Sequence, residues 1–130
     1  MSTETTRVII AGAGPVGMVC ALALNRRGIP VTVFESEPAP VKDQRAATIH
    51  PSTLEMLDEL GITEKIRADS LLSSTYRFHD RPTGDVVAEF DLGRLENELR
   101  FPYVLQYEQY KLTAPIAEQY AGESDFDVRF

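Results

Sequence analysis

The apolar positions of this chain fall into short runs separated by polar or glycine-bearing breaks. Val8 to Ala11 is a continuous apolar, β-branched run, the pattern of a strand buried on both faces of a parallel sheet. From Pro15 to Arg27 the residues Val16, Val19, Cys20, Ala23 and Leu24 form a helical apolar stripe, and Gly28 supplies the stop. Val31 to Glu35 returns to the strand pattern, and Ser36 to Gln44, with Pro38 and Pro40, reads as a loop. Leu54, Met56, Leu57 and Leu60 predict a second helix, with Ser52 and Glu55 as a capping box and Gly61 at its end. Ile62 to Ala68 predicts one further short helix.

The pattern then changes. Thr75 to His79 and Val86 to Asp91 are two β-type runs around a loop containing Pro82 and Gly84, which predicts a hairpin. Leu92 to Pro102 is a charged connector, and Tyr103 to Gln106 is a short apolar run. Glu108 to Ala121 predicts a helix with a break or kink at Pro115, and Phe126 to Phe130 predicts a third strand of the parallel sheet. The expected fold is α/β, a Rossmann-like nucleotide-binding sheet that leaves for a hairpin belonging to a second, antiparallel sheet. Residues 1–73 and 103–130 would belong to the nucleotide-binding part, and residues 74–102 to the excursion. Three parallel strands with an unpaired first strand predict a fragment of a longer chain, prone to self-association through the open sheet edge.

Composition narrows the functional classes. With 20 acidic against 13 basic residues and a net charge of −7, the chain offers no basic surface for nucleic acid. No apolar run approaches the roughly 18 residues of a membrane span, and the polar Met1 to Thr6 segment lacks a signal-peptide core, so a cytoplasmic location is expected. Cys20, the single cysteine, is expected to be a buried small hydrophobe. His50 and His79 lack ligand-like neighbours, so no metal site is expected.

The candidate chemistry lies between the first strand and the first helix. Gly12, Gly14 and Gly17 stand at G-x-G-x-x-G spacing. In that arrangement the first glycine makes the turn, the second admits a pyrophosphate, and the third lets helix pack on strand. Pro15 suits the helix start, where its missing N–H costs nothing. Glu35 closes the second strand about 20 residues on, where a carboxylate accepts from a ribose hydroxyl and repels a 2′-phosphate. The same fingerprint serves FAD and NAD. An NAD-dependent dehydrogenase domain and a non-catalytic nucleotide-binding module are therefore alternatives, although the hairpin departs from simple NAD domains.

Val8 to Gly17, Val31 to Glu35, Arg45-Ala46 and the Leu54 to Gly61 helix together resemble the opening third of the FAD-dependent aromatic hydroxylases. These are single-component flavoprotein monooxygenases, similar to p-hydroxybenzoate and phenol hydroxylases; Gln106-Tyr107-Glu108 fits their pattern as well. The resemblance implies a glutathione-reductase-type FAD/NAD(P)-binding fold. It implies FAD contacts at Gly12, Ala13, Gly14, Pro15, Val16, Gly17, Glu35 and Ser36. It also implies Arg45 near the pyrophosphate and flavin, and Gln106 on the ribityl–phosphate part. In such an enzyme NAD(P)H reduces the flavin, and one atom of dioxygen enters an activated aromatic ring. The later motifs of these enzymes have no counterpart among these residues, and no residue here is assigned as a catalytic acid or base.

Overall fold

The computed structural model describes residues 6–42, 47–120 and 122–130. The chain divides into two compact units, residues 1–46 with 108–130, and residues 47–107.

The first unit is built on three parallel strands in the order β1-β2-β8, where β1 is Val8–Ala11, β2 is Val31–Phe34 and β8 is Phe126–Arg129. Val8 pairs with Val31, and Val31 with Phe126, so Val8, Ile10, Val31, Val33 and Phe126 share one sheet face. Helix α1 (Pro15–Asn25) packs on that face and against α4 (Gln109–Gln119). Met18, Ala21, Leu22, Val31, Val33, Ile116 and Phe126 form its buried core. The Phe126 ring stacks on Tyr120 at a centroid distance of 4.7 Å. Arg7 fastens the sheet at its start, with its guanidinium donating to the carbonyls of Val31 and Ser124 and to Thr32 Oγ1.

Several expectations need correction here. β1 is not buried on both faces: Ile9 is 70% exposed, because α1 covers only the side on which Ile10 stands. Cys20 is exposed, since α1 turns Met18, Ala21 and Leu22 toward the sheet and leaves Val16 and Cys20 outside. α4 continues through Pro115 without the expected break; Ala121 lies outside the described residues.

The second unit contains a three-stranded antiparallel sheet in the order β3-β7-β4, formed by Thr48–Ile49, Val104–Gln106 and Leu71–Ser73. Helices α2 (Pro51–Glu59) and α3 (Thr63–Ala68) supply its buried Leu54, Leu57 and Ile66, joined by Phe101, Val104 and Leu105. Buried Thr63 donates its hydroxyl to the Leu54 carbonyl at 2.8 Å. The expected capping box does not form. Pro51 opens α2 behind His50 without a side-chain cap, and Glu55 instead accepts from the Arg100 amide. Met56 points outward, 56% exposed, because the buried stripe runs through Leu54 and Leu57. The hairpin forms as expected, with β5 (Thr75–His79) paired to β6 (Val86–Asp91). Phe78 and Phe90 meet edge to face at 5.8 Å and are 59% and 58% exposed. The connector after β6 begins with a 3₁₀ turn, Leu92–Leu95, capped by the Asp91 carboxylate.

Candidate cofactor site

The glycine turn in the first unit holds its three glycines in three different settings. Gly12 has φ +101°, a conformation costly for any residue with a Cβ. Gly17 lies so close to the turn that a Cβ would stand 2.0 Å from the Gly12 carbonyl oxygen and 3.4 Å from Ile10 Cγ2. Gly14 has an ordinary φ of −68°, and a Cβ there would meet no protein atom within 4 Å. The space in front of Gly14 is open and its backbone is unstrained, so the protein itself does not require glycine there.

Gly14 is the N-cap of α1 and offers no capping side chain, and Pro15 follows it. The amide hydrogens of Val16 and Gly17 belong to the first turn, where helix geometry supplies no acceptor. They form a positively polarised pole suited to an anion.

Glu35 faces this turn. Its Oε2 accepts from the Ala13 amide at 2.7 Å, and its Oε1 accepts from the amides of Ser36 and Glu37 at 2.8 and 3.1 Å. The Ser36 hydroxyl adds a bond at 3.2 Å. Donation from the Glu37 and Ala13 amides holds the carboxyl below its ordinary value, so it is ionised at neutral pH. Oε2, with one protein donor, keeps acceptor capacity for a hydroxyl. Ala13 and Ser36 thus act on Glu35 through their donors.

Ala13, Gly14, Pro15, Glu35 and Ser36 line one cleft of about 240 Å³, whose other walls include Pro40, Tyr110, Thr113 and Phe130. Sequence reasoning missed those walls: they come from a proline loop, α4 and the chain's last residue, and no local spacing signals their convergence. A larger cleft of about 570 Å³ runs along β8 beside Arg7 and Arg129. Its guanidiniums are already spent, Arg7 on carbonyls and Arg129 on Asp127 at 2.7 Å. The smaller cleft is the one lined by the glycine turn and Glu35. Arg45 lies outside the described residues. Gln106 lies in the second unit, at the end of β7, where its Oε1 accepts from the Thr48 hydroxyl at 2.9 Å.

A parallel sheet, a glycine turn at a helix N-terminus and a carboxylate ending the next strand define a dinucleotide-binding domain of Rossmann type. The residues present fit the ADP half of FAD: open backbone for the pyrophosphate, first-turn amides to which the helix itself supplies no acceptor, and an acceptor for ribose. The FAD binding domain family matches residues 5–130, and the chain belongs to that family. It is 33% identical over 124 residues to 6-hydroxy-3-succinoylpyridine 3-monooxygenase HspB of Pseudomonas putida (strain DSM 28022 / S16), covering 95% of this chain and 31% of that protein. It is 28% identical to para-nitrophenol 4-monooxygenase of Pseudomonas sp. (strain WBC-3), covering 95% and 30%. Among solved structures, p-nitrophenol 4-monooxygenase PnpA of Pseudomonas putida DLL-E4 superposes with a TM-score of 0.86 at 29% identity, over 94% of this chain and 31% of that one. The chain thus spans about a third of the length of the relatives it matches. Each of these three relatives is a monooxygenase by name. No helix among the described residues is long and apolar enough to cross a membrane.

Proposed function

We propose that this chain is the FAD-binding N-terminal segment of an NAD(P)H-dependent monooxygenase that hydroxylates an aromatic, phenolic substrate with dioxygen. The observation that carries the reading is Glu35, held ionised against the glycine turn with one oxygen still able to accept. When bound, FAD supplies the redox chemistry and the activation of oxygen. The Val16 and Gly17 amides bind the pyrophosphate, and Gly14 leaves it room. Glu35 accepts from the ribose of the adenosine half. Arg45 and Gln106 hold the phosphate and ribityl part, a guanidinium and a carboxamide both being donors suited to oxygen acceptors.

The hairpin of Thr75–His79 and Val86–Asp91 belongs, in this reading, to the sheet of a substrate domain. Its exposed Phe78 and Phe90, and the marginal stability of an isolated hairpin, support that role. Among the described residues β1 is an edge strand, and in this reading that edge makes the isolated chain prone to self-association. A cytoplasmic location suits an enzyme that draws on nicotinamide cofactor.

The test is the full-length protein. A purified protein with a flavin absorbance near ~450 nm, which oxidises NADH or NADPH faster when a phenol is added and yields a hydroxylated product, supports the proposal. A colourless protein that binds NADH and transfers hydride without oxygen uptake overturns it.

A further inference from the structure

The sheet imposes an order on the cleft beside Glu35. β1, β2 and β8 are parallel neighbours in that sequence, so their C-terminal ends lie in a row along one sheet edge. The glycine turn follows β1, Glu35 follows β2 and Phe130 follows β8, and all three line the cleft. Tyr110, in the first turn of α4, lines it as well, and α4 is the helix that leads into β8. The two ends therefore differ in chemistry. The β1 end offers open backbone and first-turn amides. The β8 end offers aromatic side chains. Tyr110 is half-buried, and its hydroxyl donates to Glu108 Oε2 at 3.5 Å, an oxygen that also takes Lys111 Nζ at 2.9 Å.

A nucleotide carries its groups in the same order. The 5′-phosphate and the base leave the ribose on opposite sides, and the 2′- and 3′-hydroxyls lie between them. With the phosphate at the glycine turn and the hydroxyls on Glu35, the base is directed toward β8. We infer that Tyr110 is a specificity-determining residue, the aromatic surface on which the adenine base of the cofactor packs. The inference rests on the cofactor reading of this cleft. A base presents a flat π-face, and an aromatic ring is a partner suited to it. Glu108 contributes by tethering the phenol on its own helix, so less side-chain freedom is lost when the base arrives.

The experiment uses the full-length protein and measures FAD affinity, then displacement of FAD by ADP and by ribose 5-diphosphate, which lacks the base. Wild type is compared with Tyr110→Ala, Tyr110→Phe and Glu35→Ala, and unfolding without cofactor is followed alongside. Tyr110→Ala should weaken FAD and ADP about five- to a hundred-fold, the scale of one base–aromatic contact removed by alanine. It should leave ribose 5-diphosphate within about two-fold of wild type, since that ligand brings nothing to the ring. Tyr110→Phe keeps the ring and should restore most of the loss. Glu35→Ala should weaken all three ligands. If Tyr110→Ala weakens ADP and ribose 5-diphosphate equally, the ring acts on the shape of the cleft and not on the base, and the inference is overturned. A Tyr110→Phe variant as weak as Tyr110→Ala overturns it too, because the ring is then not the group at work. If Glu35→Ala weakens ADP while Tyr110→Ala does not, the role of Tyr110 is wrong and the ribose site stands. If neither variant changes ADP binding, the cofactor reading of the cleft fails and the inference falls with it.

Discussion

Gly14 and Gly17 belong to one motif, yet alanine at the two positions should have opposite consequences. At Gly17 a Cβ would lie 2.0 Å from the Gly12 carbonyl oxygen and 3.2 Å from its carbon, both rigid backbone. Helix and turn must separate by about 1 Å or more before that contact becomes tolerable, which is overpacking at a cost of roughly 1–3 kcal/mol. The same displacement moves the helix N-terminus away from the turn, so FAD binding falls with stability. At Gly14 the Cβ would meet no protein atom within 4 Å, and φ is −68°. Alanine is a poorer N-cap than glycine, but it also loses less unfolded-chain entropy. These effects oppose each other, and the net change should lie within about 0.5 kcal/mol. The Gly14 methyl nevertheless occupies the space in which a pyrophosphate would approach. Urea unfolding without cofactor and FAD titration by fluorescence, on both variants of the full-length protein, separate the two cases. Gly14→Ala should unfold at nearly the wild-type midpoint and bind FAD at least ten-fold more weakly, a loss of about 1.4 kcal/mol or more; Gly14→Val should extend the loss to no measurable binding. Wild-type FAD affinity in Gly14→Val would refute the cradle, and equal destabilisation of the two alanine variants would refute the packing argument.

Further outcomes are expected at Glu35, Thr63 and Phe126. Glu35→Ala should weaken FAD binding by roughly ten- to a hundred-fold, the scale of a charge-assisted hydrogen bond to ribose, as read by the same titration. The Glu35 carboxyl is held below the ordinary carboxylate range, first through the Glu37 amide and then through that of Ala13. Its ionised contribution is therefore complete above the ordinary range and is lost only as pH falls through the lowered folded value. Affinity should be flat from about pH 8 to about pH 5 as far as this group is concerned, and Glu35→Gln should flatten the fall on the acid side. Thr63→Val should cost about 0.5–1.5 kcal/mol of stability through the lost bond to the Leu54 carbonyl. Phe126→Ala, at a side chain 1% exposed and stacked on Tyr120, should cost about 3–5 kcal/mol. Urea unfolding reads both, and a Phe126→Ala variant as stable as wild type would remove the ring from the core.

The amino-acid sequence by itself determined the local features: a strand, a glycine turn, a helix and a second strand ending in Glu35. Each of these is a property of neighbouring residues. The φ of Gly12, the packing of Gly17 and the hairpin turn follow from spacing and from what glycine alone can adopt. Tertiary structure decided the rest, because those outcomes depend on residues brought together from far apart. Glu35 reaches the Ala13 amide across 22 positions, and the cleft beside them is walled by α4 and Phe130. Strands of two and three residues, Thr48–Ile49 and Leu71–Ser73, carry too little periodicity to be read, and they form only because Val104–Gln106 lies between them. Met56 and Cys20 look like core in a hydrophobic pattern, but which side of a helix is buried is decided by what packs on it. In α1 that is the β-sheet, which takes Met18, Ala21 and Leu22 and leaves the Cys20 thiol outside.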